Sequence, residues 1–321
     1  MFDNKNILIT GGTGSLGQYL IRFILARFKP HKIVIYSRDE HKHLKMQTDF
    51  KMDGYHGEVL RWVVGDVRDK TRLGCALKGI HYVVHTAALK QVLMSMYNPI
   101  EYLQTNVMGT VNVIEQCCNN GVEKALFIST DKACEPLNSY GKCKAIAEDL
   151  CVNANLYQST VFSCVRYGNV CNSQSSVIPF FRNLIENGAT KLLLTDLRMT
   201  RFWITLEEAC KLIVYAFENM QGGEIYVPKL KSYYVRDLIT AMTGKEQSYI
   251  LCGIKPGEKL NEVLINTYEN CYDIGKYYII YPPIAWRTYE KQGNYESDFR
   301  FDSLHCEHYS VQELRKMLRE I

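Results

Sequence analysis

A doubly wound α/β fold, with a parallel sheet followed by a smaller C-terminal lobe, is the class that this sequence predicts. Three observations carry the reading. Short apolar runs of strand length alternate with helical stretches through the first half, as parallel βαβ units require. The first strand runs directly into Gly11-Gly12-Thr13-Gly14-Ser15-Leu16-Gly17 and then into a helix. The fifth strand ends in Ser129-Thr130-Asp131-Lys132, a polar cluster at the place where open α/β sheets bind ligands.

Composition is that of a soluble globular protein: 321 residues, 47% hydrophobic and 22% charged. Such a chain buries a large core and divides into two domains, or one plus a lobe. The formal net charge of +4 is mild and no long Lys/Arg block is present, which speaks against a nucleic-acid partner and suits a small phosphorylated ligand. Met-Phe-Asp-Asn-Lys-Asn leads straight into a strand, and no apolar run is long enough to span a bilayer. A cytoplasmic protein without membrane contact is expected. The twelve cysteines are scattered, none forms a Cys-x-x-Cys pair, and Cys117-Cys118 is the only close pair. Free thiols are expected rather than disulfides or a metal site.

The elements follow in order. Lys5 to Thr10 is a strand, and the glycine turn and a helix through about Phe28 come next. Glycines let a backbone approach a pyrophosphate, and a helix amino terminus offers free N–H groups and a positive dipole end. A Rossmann-type dinucleotide site is the expectation, with an ordinary tight turn the plainer alternative. The second strand, Lys32 to Ser37, ends in Ser37-Arg38-Asp39-Glu40. A serine and an arginine arriving before the carboxylates suit a ribose 2′-phosphate, so NADP is favoured over NAD, with Lys42 able to assist. Arg38 as a solvated surface charge is the plainer alternative.

Val59 to Val64 is the third strand, closed by Gly65-Asp66-Val67, where Asp66 is placed to contact adenine. Tyr82 to His85 is the fourth and leads into Thr86-Ala87-Ala88-Leu89-Lys90, whose small residues let the backbone pass close to a cofactor. His85 is expected to face the sheet interior. A helix over about Pro99 to Asn119 carries Asn106, which either anchors neighbouring loops or touches the nicotinamide end. The fifth strand, Ala125 to Ile128, delivers the polar cluster, and Pro136 then breaks the chain. Tyr140 and Lys144, at i and i+4, share one face of the next helix. A nearby ammonium stabilises a phenolate, so this pair suits proton transfer beside a nicotinamide. Asp131 and Lys132 add an acid and a base; an ion pair that merely holds the loop is the alternative. The sixth strand, Thr160 to Val165, ends in Arg166-Tyr167-Gly168-Asn169-Val170.

Beyond Val170 the alternation weakens. The expected division is a cofactor-binding domain with catalytic residues over 1–170, and a mainly ligand-binding lobe over 171–321 with segments able to return to the sheet. In the lobe, Leu194 to Trp203 carries Arg198 and Arg201, whose planar forks suit a diphosphate. Met199, Phe202 and Trp203 either flank a base or pack in a core. Lys255-Pro256-Gly257-Glu258-Lys259 is a second polar turn, and Ser310 to Glu313 is a capping box opening an amphipathic helix on Val311, Leu314 and Leu318.

Taken together, Thr-Gly-Gly-Thr-Gly-Ser at 10 to 15, Ser-Arg-Asp-Glu at 37 to 40, Gly-Asp-Val-Arg-Asp at 65 to 69, Ala-Ala-Leu-Lys at 87 to 90, Ser-Thr-Asp-Lys-Ala at 129 to 133, Arg-Tyr-Gly-Asn-Val at 166 to 170 and Met-Thr-Arg-Phe-Trp at 199 to 203 resemble one family. Over nearly its whole length the chain resembles the extended short-chain dehydrogenases, and within them the soluble, inverting UDP-N-acetylglucosamine 4,6-dehydratases. The resemblance implies tightly held NADP, UDP-N-acetylglucosamine as substrate, and a homo-oligomer, dimer or hexamer. It implies oxidation at C4 by Tyr140 and Lys144, elimination of water across C5–C6 by Asp131 and Lys132, and Thr130 on the substrate oxygen. For that chemistry Asp131 must be held protonated and Lys132 neutral. Cofactor contacts are implied at Gly11, Thr13, Gly14, Ser15, Leu16, Gly17, Ser37, Arg38, Lys42, Asp66, Val67, Ala87, Ala88, Tyr140, Lys144 and Val170. Substrate contacts are implied at Lys90, Asn169, Ile178, Thr195, Met199, Arg201, Lys255 and Glu258. Gln174, Lys255 and Asn261 depart from the family pattern, standing where arginine, arginine and histidine are expected. A retaining dehydratase, a UDP-sugar 4-epimerase and a non-catalytic NADP-binding scaffold or sensor are the competing readings.

Overall fold

The structure, a computed structural model, describes residues 1–55, 58–157, 159–171, 176–283 and 290–320. β1 (Asn6–Thr10), α1 (Ser15–Arg27), β2 (Lys32–Ser37), α2 (Glu40–Met52), β3 (Leu60–Val64), α3 (Lys70–Ala76) and β4 (Tyr82–His85) alternate as the sequence predicts. Next come α4 (Val92–Tyr97), α5 (Pro99–Tyr102), a π-helical turn (Leu103–Met108), α6 (Gly109–Asn119), β5 (Lys124–Ile128), α7 (Ser139–Asn153) and β6 (Val161–Val165). The six strands pair in parallel in the order β3-β2-β1-β4-β5-β6, the doubly wound arrangement. Ile7, Leu8, Ile9, Val83, Val84, Ala125 and Leu126 have no exposed surface, because helices cover both faces of the sheet.

The order reverses between β1 and β4, and their ends open a crevice. Thr10 stands opposite both Tyr36 and His85 in the register. The Thr10 Oγ1 atom lies 2.8 Å from His85 Nδ1, which seats the histidine inside the sheet as expected. Burial, with the Lys144 charge adding to it, drives the His85 imidazole down to about 3, so it is neutral at ordinary pH.

One helix expected over 99–119 is in fact three pieces. At the π-helical turn Asn106 reaches across to the crevice loop, accepting from Leu89 N and donating to Leu89 O, both at 2.8 Å. Of the two roles open to Asn106, the structure shows loop anchoring. A π turn inserts one residue into a helix and re-aims a side chain, which is what this clamp requires.

The second half comprises α8 (Val177–Glu186), β7 (Leu192–Leu194), β8 (Thr200–Phe202), α9 (Leu206–Asn219), β9 (Ile225–Pro228), β10 (Ser232–Tyr234), α10 (Val235–Thr243), β11 (Tyr249–Leu251), β12 (Val263–Ile265), β13 (Asn270–Asp273), β14 (Tyr277–Tyr281), β15 (Asn294–Glu296), β16 (Phe301–Asp302) and α11 (Val311–Glu320). β9 returns to pair in parallel with β6, and β14, β13 and β15 extend that edge antiparallel. A reciprocal capping box of Thr205 and Glu208 starts α9, the crossover helix. The expected box of Ser310 and Glu313 is also formed, and Leu314 is fully buried beneath it.

A second apolar cluster lies outside the sheet and joins Ile178, Phe181, Leu192, Met199, Trp203, Tyr233 and Leu238. Met199 and Trp203 therefore pack in a core, and Phe202 lies in the main one. All twelve cysteines are free thiols.

Candidate active site

A cleft of about 510 Å³ opens at the carboxyl ends of β1, β2, β4 and β5. Every residue to which the resemblance gives a cofactor contact lines it: Gly11, Thr13 to Gly17, Ser37, Arg38, Lys42, Asp66, Val67, Ala87, Ala88, Tyr140, Lys144 and Val170. Gly11 has φ +65°, and a Cβ there would stand 2.8 Å from the Ala87 Cα. A Cβ on Gly17 would meet Gly12 Cα at 2.6 Å, so α1 starts hard against the turn. The missing side chains leave a cradle bordered by the backbone of Gly12 and Ala87 and by Thr86 Oγ1, and α1 points its amino terminus into it, which fits a pyrophosphate.

At the end of β2, Ser37 Oγ is 2.8 Å from Thr13 Oγ1. The Asp39 carboxylate turns back to cap α2, accepting from Lys42 N at 3.1 Å. Its other oxygen lies 3.8 Å from Lys42 Nζ, and Arg38, Asp39, Lys42 and Lys90 all line the cleft. Burial and the neighbouring Lys42 charge push the Lys90 ammonium below its ordinary value, as expected where cations gather around a site for anions. Asp66 accepts from Arg68 Nε and Nη2 at 3.0 and 2.8 Å, and Arg38 Nη1 lies 3.9 Å away.

The reactive groups surround the end of β5. Asn138 caps α7 by accepting from Gly141 N at 2.8 Å, and this sets Tyr140 and Lys144 on the cleft wall. The Lys144 ammonium donates to Ile128 O at 2.5 Å, and burial lowers its proton affinity. Thr130 Oγ1 donates to Asp131 Oδ1 at 2.9 Å. Lys132 Nζ is held on three sides, by Asp131 Oδ1 at 3.0 Å, Asn169 Oδ1 at 3.0 Å and Glu262 Oε1 at 3.1 Å. Asp131 has no exposed surface and its Oδ2 has no hydrogen-bond partner among the described residues.

Electrostatics correct two of the expected protonation states. Burial pushes the Asp131 carboxyl up against the pull of the Lys132 charge, with Glu262 adding to the rise, in the direction that a proton donor needs. For Lys132 the shift runs opposite to the one a neutral base needs. Burial favours its neutral form, but Asp131 and Glu262 together outweigh burial and raise its proton affinity above the ordinary value. Burial likewise pushes the Tyr140 phenol up to about 12, and the cation that opposes this rise is Lys132, not Lys144.

Of the expected substrate contacts, Lys90 and Asn169 line the cleft and the others do not. Ile178 and Met199 are buried in the second apolar cluster. Arg201 is almost fully buried and gives its donors to the carbonyls of Thr200, Leu260 and Lys259 at 2.7 to 3.0 Å. Thr195 is half-buried, Lys255 is exposed, and Glu258 Oε2 accepts from Lys255 N at 3.3 Å. Asn261 accepts from Thr200 Oγ1 at 2.8 Å. Gln174 lies outside the described residues. The polar turn at 255–259 docks on the segment that leads into α7, because Asn138 Nδ2 donates to Gly257 O at 2.9 Å and Lys259 Nζ to Cys134 O at 2.6 Å.

Sequence reasoning missed Glu262. Its one local signal is an acid at the head of the otherwise apolar run Val263-Leu264-Ile265, and 130 residues separate it from Lys132 along the chain.

Comparison with known proteins places this arrangement. The chain is 44% identical over 309 residues to a Campylobacter jejuni protein named UDP-N-acetylglucosamine 4,6-dehydratase (inverting), covering 95% of this chain and 89% of the relative. It is 37% identical to a Rickettsia bellii protein named UDP-glucose 4-epimerase, over 87% of this chain and 84% of that one. Among solved structures, Pen from Bacillus thuringiensis superposes with a TM-score of 0.91 at 33% identity, covering 100% of this chain and 99% of the other. The family model described as polysaccharide biosynthesis protein matches residues 7–282. This chain belongs to the polysaccharide biosynthesis protein family, in the group that holds the inverting UDP-N-acetylglucosamine 4,6-dehydratases.

Proposed function

We propose that this protein is an NADP-dependent enzyme that dehydrates UDP-N-acetylglucosamine to UDP-2-acetamido-2,6-dideoxy-β-L-arabino-hex-4-ulose, inverting C5. The observation that carries the reading is the buried Asp131–Lys132 pair, 3.0 Å apart, beside Tyr140 on a dinucleotide cleft. A 4-epimerase needs a phenol and a cofactor but no second acid and base at this point. The glycine cradle would hold the cofactor pyrophosphate, and Ser37, Arg38 and Lys42 the ribose phosphate. NADP, when bound there, would supply a hydride acceptor for C4 and a hydride donor for C6, so net redox change would be nil.

The work of the chain's own residues follows from their positions. Tyr140 accepts the proton of the C4 hydroxyl. Its phenol starts high, so the site must stabilise the phenolate when cofactor charge and the Lys144 ammonium act together. Thr130 orients the substrate oxygen. With C4 oxidised, the C5 hydrogen becomes acidic, and Lys132 removes it as the neutral amine. The shift from ammonium to amine needs one proton to cross 3.0 Å from Lys132 Nζ to Asp131 Oδ1. That same transfer arms Asp131 as the acid for the departing C6 hydroxyl. Burial, which raises Asp131, favours it.

The experiment is to incubate the purified protein with UDP-N-acetylglucosamine in D2O and follow it by NMR, first alone and then with NADP. A new 6-methyl signal, deuterium at C5 and an L-arabino product support the proposal. A D-xylo product would make it a retaining dehydratase, and a C4 epimer without a methyl signal an epimerase. No reaction with NADP supplied would move the reading to another sugar nucleotide or to a non-catalytic scaffold. Interchange of solution oligomers, dimer or hexamer, is a separate question answered by light scattering.

A further inference from the structure

We infer that Glu262 is a third working member of the acid–base site, a positioning residue that holds Lys132 opposite Asp131 and stabilises the ammonium Lys132 becomes on taking the C5 proton; this rests on the dehydration reading above. Glu262 is 2% exposed and stands immediately before β12. Its backbone is pinned on both sides, with Glu262 N donating to Ser303 Oγ and Ser303 N donating to Glu262 O, each at 2.8 Å. The side chain therefore has little freedom, and it spends one oxygen on Lys132 Nζ at 3.1 Å.

Two further observations separate a working role from a structural one. Buried carboxylates that only hold a fold have their oxygens bonded. Glu262 Oε2 has no hydrogen-bond partner among the described residues. Of the two other nearby cations, Arg201 keeps its Nε 3.7 Å away, gives its remaining donors to main-chain carbonyls and has Glu258 Oε1 at 3.8 Å from Nη2, and Lys259 spends its ammonium on Cys134 O at 2.6 Å. Glu262 thus faces chiefly Lys132.

In the elimination, the C5–H bond gives its proton to Lys132 Nζ and its electron pair becomes the C5=C6 bond. The C6–O bond breaks, and the oxygen leaves as water with the Asp131 proton. Positive charge develops on Lys132 and negative charge on Asp131. Glu262 meets the first of these from the side away from Asp131, and a fixed anion already in place costs no reorganisation as that charge appears.

The charged and titratable groups around the unit are few. Lys132 faces Asp131, Glu262, Arg201 of β8 and Tyr140 of α7; Glu262 faces Lys132, Arg201 and Lys259; Asp131 also faces Tyr233 of β10. Removing one negative charge from this set lowers the proton affinity of both Asp131 and Lys132. Both limbs of the pH–rate profile then move to lower pH.

The test compares wild type with Glu262→Gln, whose amide oxygen can still accept from Lys132, and with Glu262→Asp, which keeps the charge. Turnover of UDP-N-acetylglucosamine, deuterium entry at C5 and first-turnover reduction of bound cofactor are measured across pH. For Glu262→Gln, kcat is expected to fall about tenfold to a hundredfold, with KM little changed and cofactor reduction retained. Its profile should move down by about one pH unit, and Glu262→Asp should bring it back. An unshifted profile in Glu262→Gln, a profile in Glu262→Asp shifted as far as that of Glu262→Gln, or a loss confined to KM or to cofactor reduction, overturns the inference. Wild type that does not dehydrate the substrate overturns the underlying reading instead, and the inference with it.

Discussion

Replacing Lys132 by methionine tests the site as an electrostatic unit, apart from any assay of turnover. Its ammonium lies 3.0 Å from an Asp131 oxygen and 3.1 Å from a Glu262 oxygen. At an effective dielectric of about 20 each contact is worth roughly 5 kcal/mol before desolvation is counted. Burying three charges consumes most of that, so the pair contributes little net stability while intact. Removing the cation alone strands two buried carboxylates, and breaking a buried pair in this way costs about 3–5 kcal/mol. Arg201 at 3.7 Å from Glu262 offsets part of the loss, which favours the lower figure of about 3 kcal/mol. At about 2 °C per kcal/mol for a chain of this size, the melting temperature should fall by roughly 6 °C at pH 8.

The pH dependence carries the sign. Burial already holds Asp131 above its ordinary value, and loss of the Lys132 charge raises it further. A carboxyl raised in the folded state binds its proton more tightly when folded. Its stabilisation is present at low pH and is lost as pH rises from about 4 through the raised value. The deficit of the variant should therefore shrink on going from pH 8 to pH 5. Differential scanning calorimetry of both proteins at pH 5, 6.5 and 8 reads this directly. Equal melting temperatures at pH 8, or a deficit that grows toward pH 5, would refute the electrostatic account.

Three further substitutions test the geometry. Tyr140→Phe should keep the fold, since the ring packs with Tyr102 and Val107, and should lower kcat by about 10²- to 10⁴-fold with loss of cofactor reduction on substrate addition. Because burial pushes this phenol up to about 12, a wild-type minus Tyr140→Phe ultraviolet titration should show no tyrosinate step below pH 10 in the ligand-free protein. Arg38→Ala should weaken NADP by the value of a charge-assisted bond, about 1.5–3 kcal/mol or roughly 10- to 150-fold, and leave NAD affinity unchanged by calorimetry. Gly17→Ala places a Cβ 2.6 Å from Gly12 Cα, against backbone that has no room to give, so cofactor affinity and melting temperature should both fall.

What the sequence determined by itself is local. The strand–glycine–helix order, the six strand positions and the shared face of Tyr140 and Lys144 depend on residues within a few positions of one another, and periodicity and turn chemistry express them directly. The expected strands match the observed ones to within one residue at each end. The family motifs likewise mark short segments, and the cofactor contacts they point to all fall on the lining of one cleft.

Tertiary structure decided the rest, because burial and charge proximity depend on segments far apart in the chain. Met199 and Ile178 look the same in sequence whether they meet a ligand or a core, and only the packing of α8, β8 and α10 puts them in the second cluster. The return of β9 to the sheet brings the far half of the chain beside β6. Nothing near Lys132 announces Glu262, yet that carboxylate adds to Asp131 in raising the lysine's proton affinity. The candidate reactive groups were thus legible in the sequence, while the shifts in their proton affinity come from burial and from charges such as Glu262 that only folding brings within 3.1 Å.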